Sequence, residues 1–596
     1  MINKHYISDL KDIEFNLFNL FEIESTSSFK NSELDKESLS AILQEIDRLA
    51  KETLSSGFSD SAFAKPTLDQ YTGSVKLDPI HKESFEKYIS GGWADLGIIK
   101  ELGGSPIPRT FLWALSELLV GANPSLYLYI TMMSFANILY EEGNDDQKKL
   151  AKYMFDKNWC ATMMLTEAEA GSDVGAGLTK ALQNEDGSWS LVGSKRFITS
   201  GDHDLSENII HFVLARPEGA AKGTKGLSLF VVPKFLVNDD GTLGPRNGIF
   251  ASGLESKMGI NFSATCEMQL GEKTTCVGYL LGDKHDGIKQ MFKMIESARM
   301  MVGVKAIATL STSYLNSAKY ATERVQGFKL SDQSRSNGKI AIVNHSLVRH
   351  DLAFLKAMSE GLRSMVIFAA TIQDEISMDS ENQELVSLNN LILPIIKGYG
   401  SEESFNLIAN QSLSIFGGSG YTQDWPIEQY LRDSKIDTLY EGTTNIQAND
   451  FFFRKIIKDN GVGLNLLLSK LRKRETYPDV ILSESLEFKK CLGEYEKSIG
   501  YLVSLCMDST SNPHYLDFVG LKSKKLLEYS GDILVWWLLL ESYVASENNH
   551  LPEKFVEGKL LNVKSFTYEK GNILGSKLAQ LASNEDYLDD FKTYQF

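Results

Sequence analysis

The spacing of apolar residues predicts helices in the first part of the chain. Apolar positions recur every three or four residues, as at Leu39, Leu43 and Ile46, which is the period of one buried helical face. A later helical stretch is predicted to break at Asn123-Pro124. Residues 1–158 are therefore predicted to form an N-terminal helical domain.

From residue 159 the pattern changes from that of helices to that of strands. Short runs rich in β-branched residues follow one another at 188–192, 209–215 and 227–232, and turn signals such as Glu185-Asp186-Gly187 separate them. Consecutive strands without intervening helices disfavour a parallel nucleotide-binding sheet. Residues 159–283 are therefore predicted to form a compact antiparallel β domain.

Helical spacing returns after the β domain and continues through the rest of the chain. Residues 284–455 are predicted to form an antiparallel helical bundle, and 456–596 an additional helical C-terminal domain. The longest apolar run, 533–540, is predicted to be a buried helix segment, because it is far shorter than the roughly 20 residues of a membrane span. No integral membrane segment is expected. The predicted fold class is mainly α with a central antiparallel β domain.

Composition and charge narrow the possible functions. At 596 residues the chain is too long for one core, and its net charge of −17 disfavours a nucleic-acid partner, which requires concentrated Lys and Arg. Its five cysteines are scattered without CxxC spacing, so they are expected to be free thiols in a reducing compartment. Acidic residues near the N-terminus interrupt any apolar leader, and we expect a cytoplasmic protein. No clustered Cys/His spacing predicts a metal site.

One carboxylate stands on a predicted loop directly before a helix. Glu441 is followed by Gly442, which permits a bend, and Thr444 and Gln447 have the spacing of a capping box at the start of the next helix. Such a turn directs a carboxylate and a backbone N–H toward one small volume, so that one group accepts a proton while the other polarises a carbonyl. The alternative is that Glu441 has no catalytic role and stands at the start of a helix only because the helix dipole favours an acidic side chain there.

A second candidate block lies upstream, in residues 163–175 and 195–201. Its small residues let a ligand approach the backbone. Thr166, Ser172 and Thr199 offer hydroxyl groups, and Phe197 offers a flat apolar surface. A planar ring with a polar edge would suit that set. The alternative is a glycine-rich loop beside a strand, without a ligand.

Both blocks resemble the flavin-binding and catalytic signatures of the acyl-CoA dehydrogenase family. The resemblance runs from about residue 75 to 455 and includes the stretches 253–259 and 320–327. The extended N-terminus and the helical tail resemble the large bacterial subgroup related to methylmercaptopropionyl-CoA dehydrogenase. The resemblance implies a helical domain, a β domain and a four-helix-bundle domain, with FAD held between the last two.

The resemblance also implies which residues contact the flavin. Thr166 and Thr199 would reach its polar edge, and Phe197 would pack on the isoalloxazine where the family commonly has Trp. Arg324 would meet the pyrophosphate, where a guanidinium pairs well with phosphate oxygens. The implied cofactor contacts are Leu165, Thr166, Gly171, Ser172, Phe197, Thr199, Arg324, Gly417, Gly418, Thr443 and Asn445.

Gly417 and Gly418 resemble the stretch through which a neighbouring subunit covers the FAD, which implies a homodimer. Ser414 stands where the family has a glutamine, so one contact between subunits differs here. A glycine-rich turn between helices would satisfy the same sequence. The resemblance also implies a separate electron-transfer flavoprotein as the electron acceptor.

The implied reaction is the α,β-dehydrogenation of an acyl-CoA thioester to a trans-2-enoyl-CoA. Glu441 would remove the α-proton while hydride leaves the β-carbon for the flavin N5, and its backbone N–H would stabilise the developing enolate oxygen. The family's alternative position for the base falls at Ala298, which accepts no proton. The implied substrate contacts are Ser172, Arg299, Tyr440 and Gly442.

Two other functions stay open from the sequence. An acyl-CoA oxidase differs by letting oxygen reach the reduced flavin, which no residue pattern reports. A non-enzymatic or nucleic-acid-binding flavoprotein on the same fold would carry a C-terminal domain rich in Lys and Arg. This chain is acidic and keeps the motif 440–443 intact, which argues against that alternative. The length of the acyl chain is not predicted.

Overall fold

The computed structural model describes residues 5–32 and 34–582. The chain forms two compact units, each assembled from separate stretches of sequence. The first unit comprises Met1–Ser8, Glu37–Met301 and Gln423–Ile436, and the second comprises Asp9–Lys36, Val302–Thr422 and Asp437–Phe596. This division into two units does not test the four predicted domains, whose boundaries stay a prediction.

The helices of the first unit lie mainly before its strands in sequence. Asn123 separates two of them: its side chain accepts a hydrogen bond from Leu126 N at 3.0 Å, and Pro124 opens the new helix, as predicted. The long helix Gly287–Glu323 begins in this unit and continues into the second. The α-helices are Lys36–Leu49, Phe58–Ser61, Lys82–Ser90, Arg109–Ala122, Pro124–Thr131, Phe135–Glu142, Asp145–Asp156 and Ile427–Ser434. The shorter π and 3₁₀ helices are Ala50–Leu54, Pro79–His81, Trp93–Asp95, Lys100–Leu102, Met132–Ser134, Val174–Ala176 and Thr224–Gly226.

The strands of the first unit form one large sheet and two small two-stranded sheets. In chain order they are β1 (Thr67–Asp69), β2 (Ser74–Lys76), β3 (Cys160–Met164), β4 (Lys180–Gln183), β5 (Trp189–Thr199), β6 (Ile209–Pro217), β7 (Ser228–Pro233), β8 (Phe235–Val237), β9 (Leu243–Arg246), β10 (Ile249–Leu254), β11 (Thr265–Leu270) and β12 (Cys276–Leu280). The large sheet has the order β10-β11-β5-β12-β7-β6-β3, and β4 pairs with both β5 and β6. β1 pairs with β2, and β8 with β9.

Two pairings of the large sheet correct the expectation of a purely antiparallel domain. β3 runs parallel to β6, with Cys160 opposite Ile209 and Met164 opposite Val213, and β4 also runs parallel to β6. The remaining pairings of this sheet are antiparallel. The parallel pairings arise because β4 and β5 intervene between β3 and β6, so the chain returns to β6 from a crossover rather than a hairpin.

Strand β6 is buried along nearly its whole length, and all of its residues except His211 and Arg216 are apolar. Phe212 and Leu214 pack into a core with Phe135, Leu139 and Met154 of the helical part. Val213 and Ala215, which point the other way, pack into a second core with residues of β5, β7, β10 and β11. The alternation of side chains along a strand therefore supplies two cores from one run of sequence.

The second unit is helical throughout its regular structure, and the predicted buried segment 533–540 lies inside its helix His514–Asn548, with Trp536 fully buried. Its other α-helices are Leu10–Phe15, Ser27–Asn31, Ser346–Met378, Gln383–Pro394, Gly400–Leu407, Leu413–Phe416, Thr444–Asn449, Val462–Arg472, Leu482–Met507, Glu553–Phe566 and Asn572–Leu581. Its π-helices are Asn16–Leu20, Ile395–Tyr399, Ile408–Ser412, Asp450–Lys458 and Thr567–Gly571. Its 3₁₀ helices are Ile23–Ser25, Ile342–Asn344, Gly417–Tyr421, Lys435–Thr438, Asp479–Ile481 and Asp508–Thr510. Among the helices of residues 5–32 and 34–582, none is both long enough and apolar enough to cross a membrane.

A buried network of charges joins three distant parts of the second unit. Lys559 on the tail helix binds Asp12 of the N-terminal segment and lies 2.7 Å from Glu360 of the helix Ser346–Met378. Arg363, one turn along that helix, lies 2.5 Å from the second oxygen of Asp12. All four side chains are almost fully buried. Because a buried charge is stable only when it is paired, each member depends on the others.

We expect Lys559→Met to destabilise the second unit strongly. The substitution keeps an unbranched side chain but leaves the carboxylates of Asp12 and Glu360 without the ammonium between them. Removing one partner of a buried pair lowers the free energy of unfolding by about 3–5 kcal/mol, which urea unfolding followed by circular dichroism will measure. Lys497→Met is the control, because its own side chain is 73% exposed and that of its partner Glu494 is 33% exposed, and such surface pairs contribute about 1 kcal/mol or less. Equal urea midpoints for the two variants would contradict the expectation.

Candidate functional site

The turn that carries Glu441 has an unusual backbone. It connects the 3₁₀ helix Lys435–Thr438 to the helix Thr444–Asn449. Glu441 has a φ of +54° and Gly442 a φ of +90°, so two successive residues are left-handed. Glycine adopts this conformation freely, whereas a glutamate held there costs about 1–3 kcal/mol. Such strain persists only where the surroundings determine the conformation, and it is concentrated at functional sites.

The predicted capping box is wrong by one residue. Thr443, with its extended backbone, is the N-cap of the helix, and its hydroxyl accepts a hydrogen bond from Ile446 N at 3.4 Å. Thr444 already lies in the helix and is buried, and its hydroxyl donates to Glu402 Oε1 at 2.7 Å. Gln447 does reach back, but its amide donates to the carbonyl of Glu441 at 2.8 Å. The glutamine therefore fixes the strained residue itself.

A buried ion pair lies just before the strained turn. Lys305 and Asp437 are both fully buried, with Nζ and Oδ2 separated by 2.7 Å. The Tyr440 hydroxyl donates to the other oxygen of Asp437 at 2.9 Å. Burial and the neighbouring carboxylate raise the pKa of Tyr440 well above its ordinary value, so the phenol stays a hydrogen-bond donor. This pair was not predicted from the sequence, although Lys305 is a single charge inside an apolar helical stretch.

The second candidate block, residues 163–175 and 195–201, contains a β-bulge. Between the pairs Cys266–Ile198 and Met268–Lys195, two residues of β5 stand opposite one residue of β11. The second of the two is Phe197, whose φ is +60°. A bulge re-aims the side chains of its strand, and here the Phe197 ring is 54% exposed whereas the next residue, Ile198, is 2% exposed. No pattern in the sequence predicts this bulge.

A second buried ion pair fixes the loop that follows β3. Glu167 Oε1 lies 2.8 Å from Lys195 Nζ, and the same lysine donates to the carbonyl of Leu165 at 3.0 Å. Glu167 also accepts hydrogen bonds from the backbone N–H groups of Leu178 and Thr179. Burial alone would raise the pKa of Glu167, but the lysine and these donors outweigh it and hold the pKa below its ordinary value. The carboxylate therefore stays charged and keeps the loop in place.

The structure brings together some of the predicted flavin residues within the first unit. Arg196 N donates to the carbonyl of Thr166 at 2.9 Å, which places Thr166 beside the bulge that carries Phe197. Thr199 closes the same strand and is half-buried. Around Gly171, apart from its two chain neighbours, the described residues place no heavy atom within 4 Å of the position that a Cβ would take. An exposed ring, hydroxyl groups and an open glycine fit the planar, polar-edged isoalloxazine of a flavin.

The other predicted site residues are distributed between the two units. Ser172 is exposed and Arg299 is buried in the first unit. In the second unit, Arg324 directly follows the helix Gly287–Glu323 and donates to Gln326 at 3.2 Å. The second unit also carries Gly417, Gly418, Tyr440, Glu441, Gly442, Thr443 and Asn445.

Two family models match the chain. The model described as "Acyl-CoA dehydrogenase, middle domain" matches residues 162–272, and "Acyl-CoA dehydrogenase, C-terminal domain" matches 285–452. The first range covers the bulge and the Glu167 loop, and the second covers Lys305 and the turn at Glu441.

Curated relatives extend the similarity over most of the chain. A broad-specificity linear acyl-CoA dehydrogenase, FadE5 of Mycobacterium tuberculosis, is 44% identical over 553 residues, which are 90% of this chain and 89% of that protein. The 3-methylmercaptopropionyl-CoA dehydrogenase of Ruegeria pomeroyi is 33% identical over 76% of this chain and 77% of its own length. Both alignments reach well beyond the two family models, so the similarity includes part of the extended regions.

Solved structures share the fold. The structure of Caenorhabditis elegans ACDH-11 in complex with C11-CoA has a TM-score of 0.71 at 19% identity, covering 92% of this chain and 91% of that one. An acyl-CoA dehydrogenase complexed with FAD from Bacillus anthracis has a TM-score of 0.69 at 20% identity, covering 98% and 90%.

The predicted family and fold are thereby confirmed, with a central β domain, a helical bundle and a helical extension. The residues around the bulge in β5 also fit the flavin that the family uses. The chain therefore belongs to the acyl-CoA dehydrogenase family and is an FAD-dependent enzyme that dehydrogenates an acyl-CoA thioester.

Proposed function

We propose that Glu441 is the catalytic base of this reaction and removes the α-proton of the acyl-CoA thioester. The observation that supports this role most directly is the strained, left-handed backbone of Glu441, fixed by the amide of Gln447. A carboxylate on a fixed turn can meet a substrate carbon in one geometry, which general-base catalysis requires. FAD, when bound, supplies the acceptor for the hydride that leaves the β-carbon.

The same turn supplies a second group for the reaction. The α-proton becomes acidic only if the thioester oxygen is stabilised as negative charge develops on it. We assign this task to the backbone N–H of Glu441, because the residue that carries the base then also carries the donor, at a fixed distance along one turn. Ala298 stands at the alternative position for a base and is buried, so the chain offers no carboxylate there.

The flavin contacts are assigned to the residues around the bulge in β5. Phe197 offers its exposed ring to the isoalloxazine, and Thr166 and Thr199 offer hydroxyl groups to its polar edge. Leu165, Gly171 and Ser172 lie on the loop that carries Thr166 and are also assigned to flavin contacts. In the second unit, Arg324, Thr443 and Asn445 are assigned to the rest of the cofactor, with the Arg324 guanidinium at a phosphate.

The substrate class is proposed to be linear acyl-CoA thioesters. This assignment rests on the relative that is 44% identical, whose name describes broad specificity for linear acyl chains. Ser172, Arg299, Tyr440 and Gly442 are assigned to substrate contacts. The enzyme is proposed to act in the cytoplasm, which the free cysteines support because cytoplasmic thiols stay reduced.

We expect Glu441→Gln to keep FAD but to lose turnover by about 10²- to 10⁴-fold, because an amide cannot accept the α-proton. The measurement is the anaerobic loss of flavin absorbance on mixing with a panel of linear acyl-CoA thioesters. Glu494→Gln is the matched control, because this half-buried carboxylate lies in the C-terminal tail and pairs with the exposed Lys497 in a surface ion pair, and the variant is expected to behave as the wild type. Turnover of Glu441→Gln close to that of the wild type would refute the assignment of the base.

An electron-transfer flavoprotein is proposed as the acceptor of the electrons. The enzyme is first reduced anaerobically with one equivalent of acyl-CoA, and the return of flavin absorbance is then followed. We expect reoxidation to be fast with an added electron-transfer flavoprotein and slow in air alone. Fast reoxidation in air without that protein would instead identify an acyl-CoA oxidase.

The enzyme is proposed to be a homodimer in which the turn Gly417–Tyr421 meets the partner. In support, no heavy atom lies within 4 Å of where a Cβ would stand at Gly417 or Gly418, and Tyr421 is 83% exposed. Sedimentation equilibrium should give twice the chain mass of 66.5 kDa. Gly418→Trp should lower both the mass and the retention of FAD, whereas Gly500→Trp, at an open position in the tail, should change neither. A monomeric wild type would contradict the dimer.

A further inference from the structure

We propose that three fully buried residues, Lys305, Lys397 and Asp437, together with the half-buried Tyr440 act as positioning residues that hold Glu441 in its reactive geometry. We call them the anchoring cluster. The proposal rests on the assignment of Glu441 as the base, and it adds to that assignment the groups that fix it. All four belong to the second unit, as Glu441 does.

Each residue of the strained turn is held by a separate hydrogen bond. The Tyr440 hydroxyl donates to Asp437 at 2.9 Å. The carbonyl of Glu441 accepts from Gln447 Nε2 at 2.8 Å, and the carbonyl of Gly442 accepts from Lys397 Nζ at 2.5 Å. Three consecutive residues are thus fixed from three directions. Rotation of the turn away from the left-handed conformation would break at least one of these bonds.

Lys397 reaches the turn from a π-helical segment. Ile395–Tyr399 is π-helical, and such segments in α-helices often mark functional sites. The Lys397 side chain is fully buried, which is rare for a lysine unless its charge is compensated. The next residue, Gly398, packs closely: an added Cβ would lie 2.7 Å from Leu527 Cδ2 and 3.3 Å from Gln447 Cβ. The segment therefore has little freedom to move away from Gly442.

The Lys305–Asp437 pair makes the tyrosine bond strong. Asp437 accepts from both partners, with 2.7 Å to Lys305 and 2.9 Å to Tyr440. A hydrogen bond to a charged acceptor is stronger than one between neutral groups. The pair is fully buried, so water does not compete for Asp437. The tyrosine next to the base is consequently tied to the interior of the bundle rather than to the surface.

Positioning matters for this reaction because proton removal depends steeply on distance and direction. A displacement of about 1 Å at a reacting group costs up to roughly 100-fold in rate. Glu441 has a left-handed backbone conformation that is unfavourable for a glutamate in a free chain. The hydrogen bonds of the anchoring cluster therefore have to stabilise this conformation. Loss of an anchor should therefore slow the proton-transfer step while leaving the binding of FAD intact.

The test compares Tyr440→Phe and Lys397→Met with a matched control, Tyr477→Phe. Tyr477 also donates from its hydroxyl to a mostly buried carboxylate, Glu541, at 3.0 Å, but in the C-terminal tail. For each variant, FAD content, thermal midpoint, KM, and the anaerobic rate of flavin bleaching by saturating acyl-CoA are measured. The bleaching is repeated with acyl-CoA deuterated at the α-carbon, since slowing of the proton-transfer step raises the observed isotope effect, whereas slowing of any other step lowers it.

We expect Tyr440→Phe and Lys397→Met to bleach the flavin roughly 10- to 100-fold more slowly than the wild type, with full FAD content and a larger α-deuterium isotope effect. Tyr477→Phe should lower only the thermal midpoint. An unchanged rate and isotope effect in Tyr440→Phe would overturn the proposal, and this milder variant decides the matter if Lys397→Met does not fold.

Glu441→Gln, measured beside these variants, separates the two assignments. If Glu441→Gln is inactive and Tyr440→Phe has the wild-type rate, Glu441 is supported as the base and the role of the anchoring cluster is refuted. If Glu441→Gln is active, Glu441 is not the base, and the positioning role of the anchoring cluster, which depends on that assignment, is refuted as well.

Discussion

Buried lysines paired with carboxylates hold the second unit together. Lys559 joins Asp12 and Glu360, and Lys305 binds Asp437. Lys570 likewise lies 2.6 Å from Asp532 and 2.9 Å from Glu403. A charge buried without a partner is strongly destabilising, so each pair specifies one arrangement of the segments that supply it. The unit is built from separate stretches of sequence, and these pairs determine how the stretches meet.

The first unit presents an exposed aromatic ring from a sheet whose strands β6 and β7 are almost entirely buried. The main strands supply apolar side chains to two cores, and this leaves few positions where a side chain can meet a ligand. The bulge in β5 interrupts the alternation at one point and exposes Phe197 there. The Glu167–Lys195 pair holds the neighbouring loop, so the exposed ring and the hydroxyl of Thr166 stay on a rigid support.

The sequence predicted features that depend on local chemistry. The break at Asn123-Pro124 follows from a cap and a proline, and the buried run 533–540 follows from composition and length. The turn at Glu441 was located, but its cap was misplaced, because Thr443 and Thr444 are equally good caps until the backbone distinguishes them. Lys305 and Lys397 were missed because their burial and their partners are set by tertiary packing. The parallel pairing of β3 with β6 likewise depends on a crossover that periodicity does not report.

The contact between Asp12 and Lys559 joins residues 547 positions apart in the chain. Ribosomes add roughly 5–20 residues per second, so the lysine emerges on the order of 30 to 110 s after the aspartate. Throughout that interval the nascent N-terminal segment carries an acidic side chain whose final partner has not been made. Completion of the helical unit is therefore a late event, because it waits for the helix that carries Lys559.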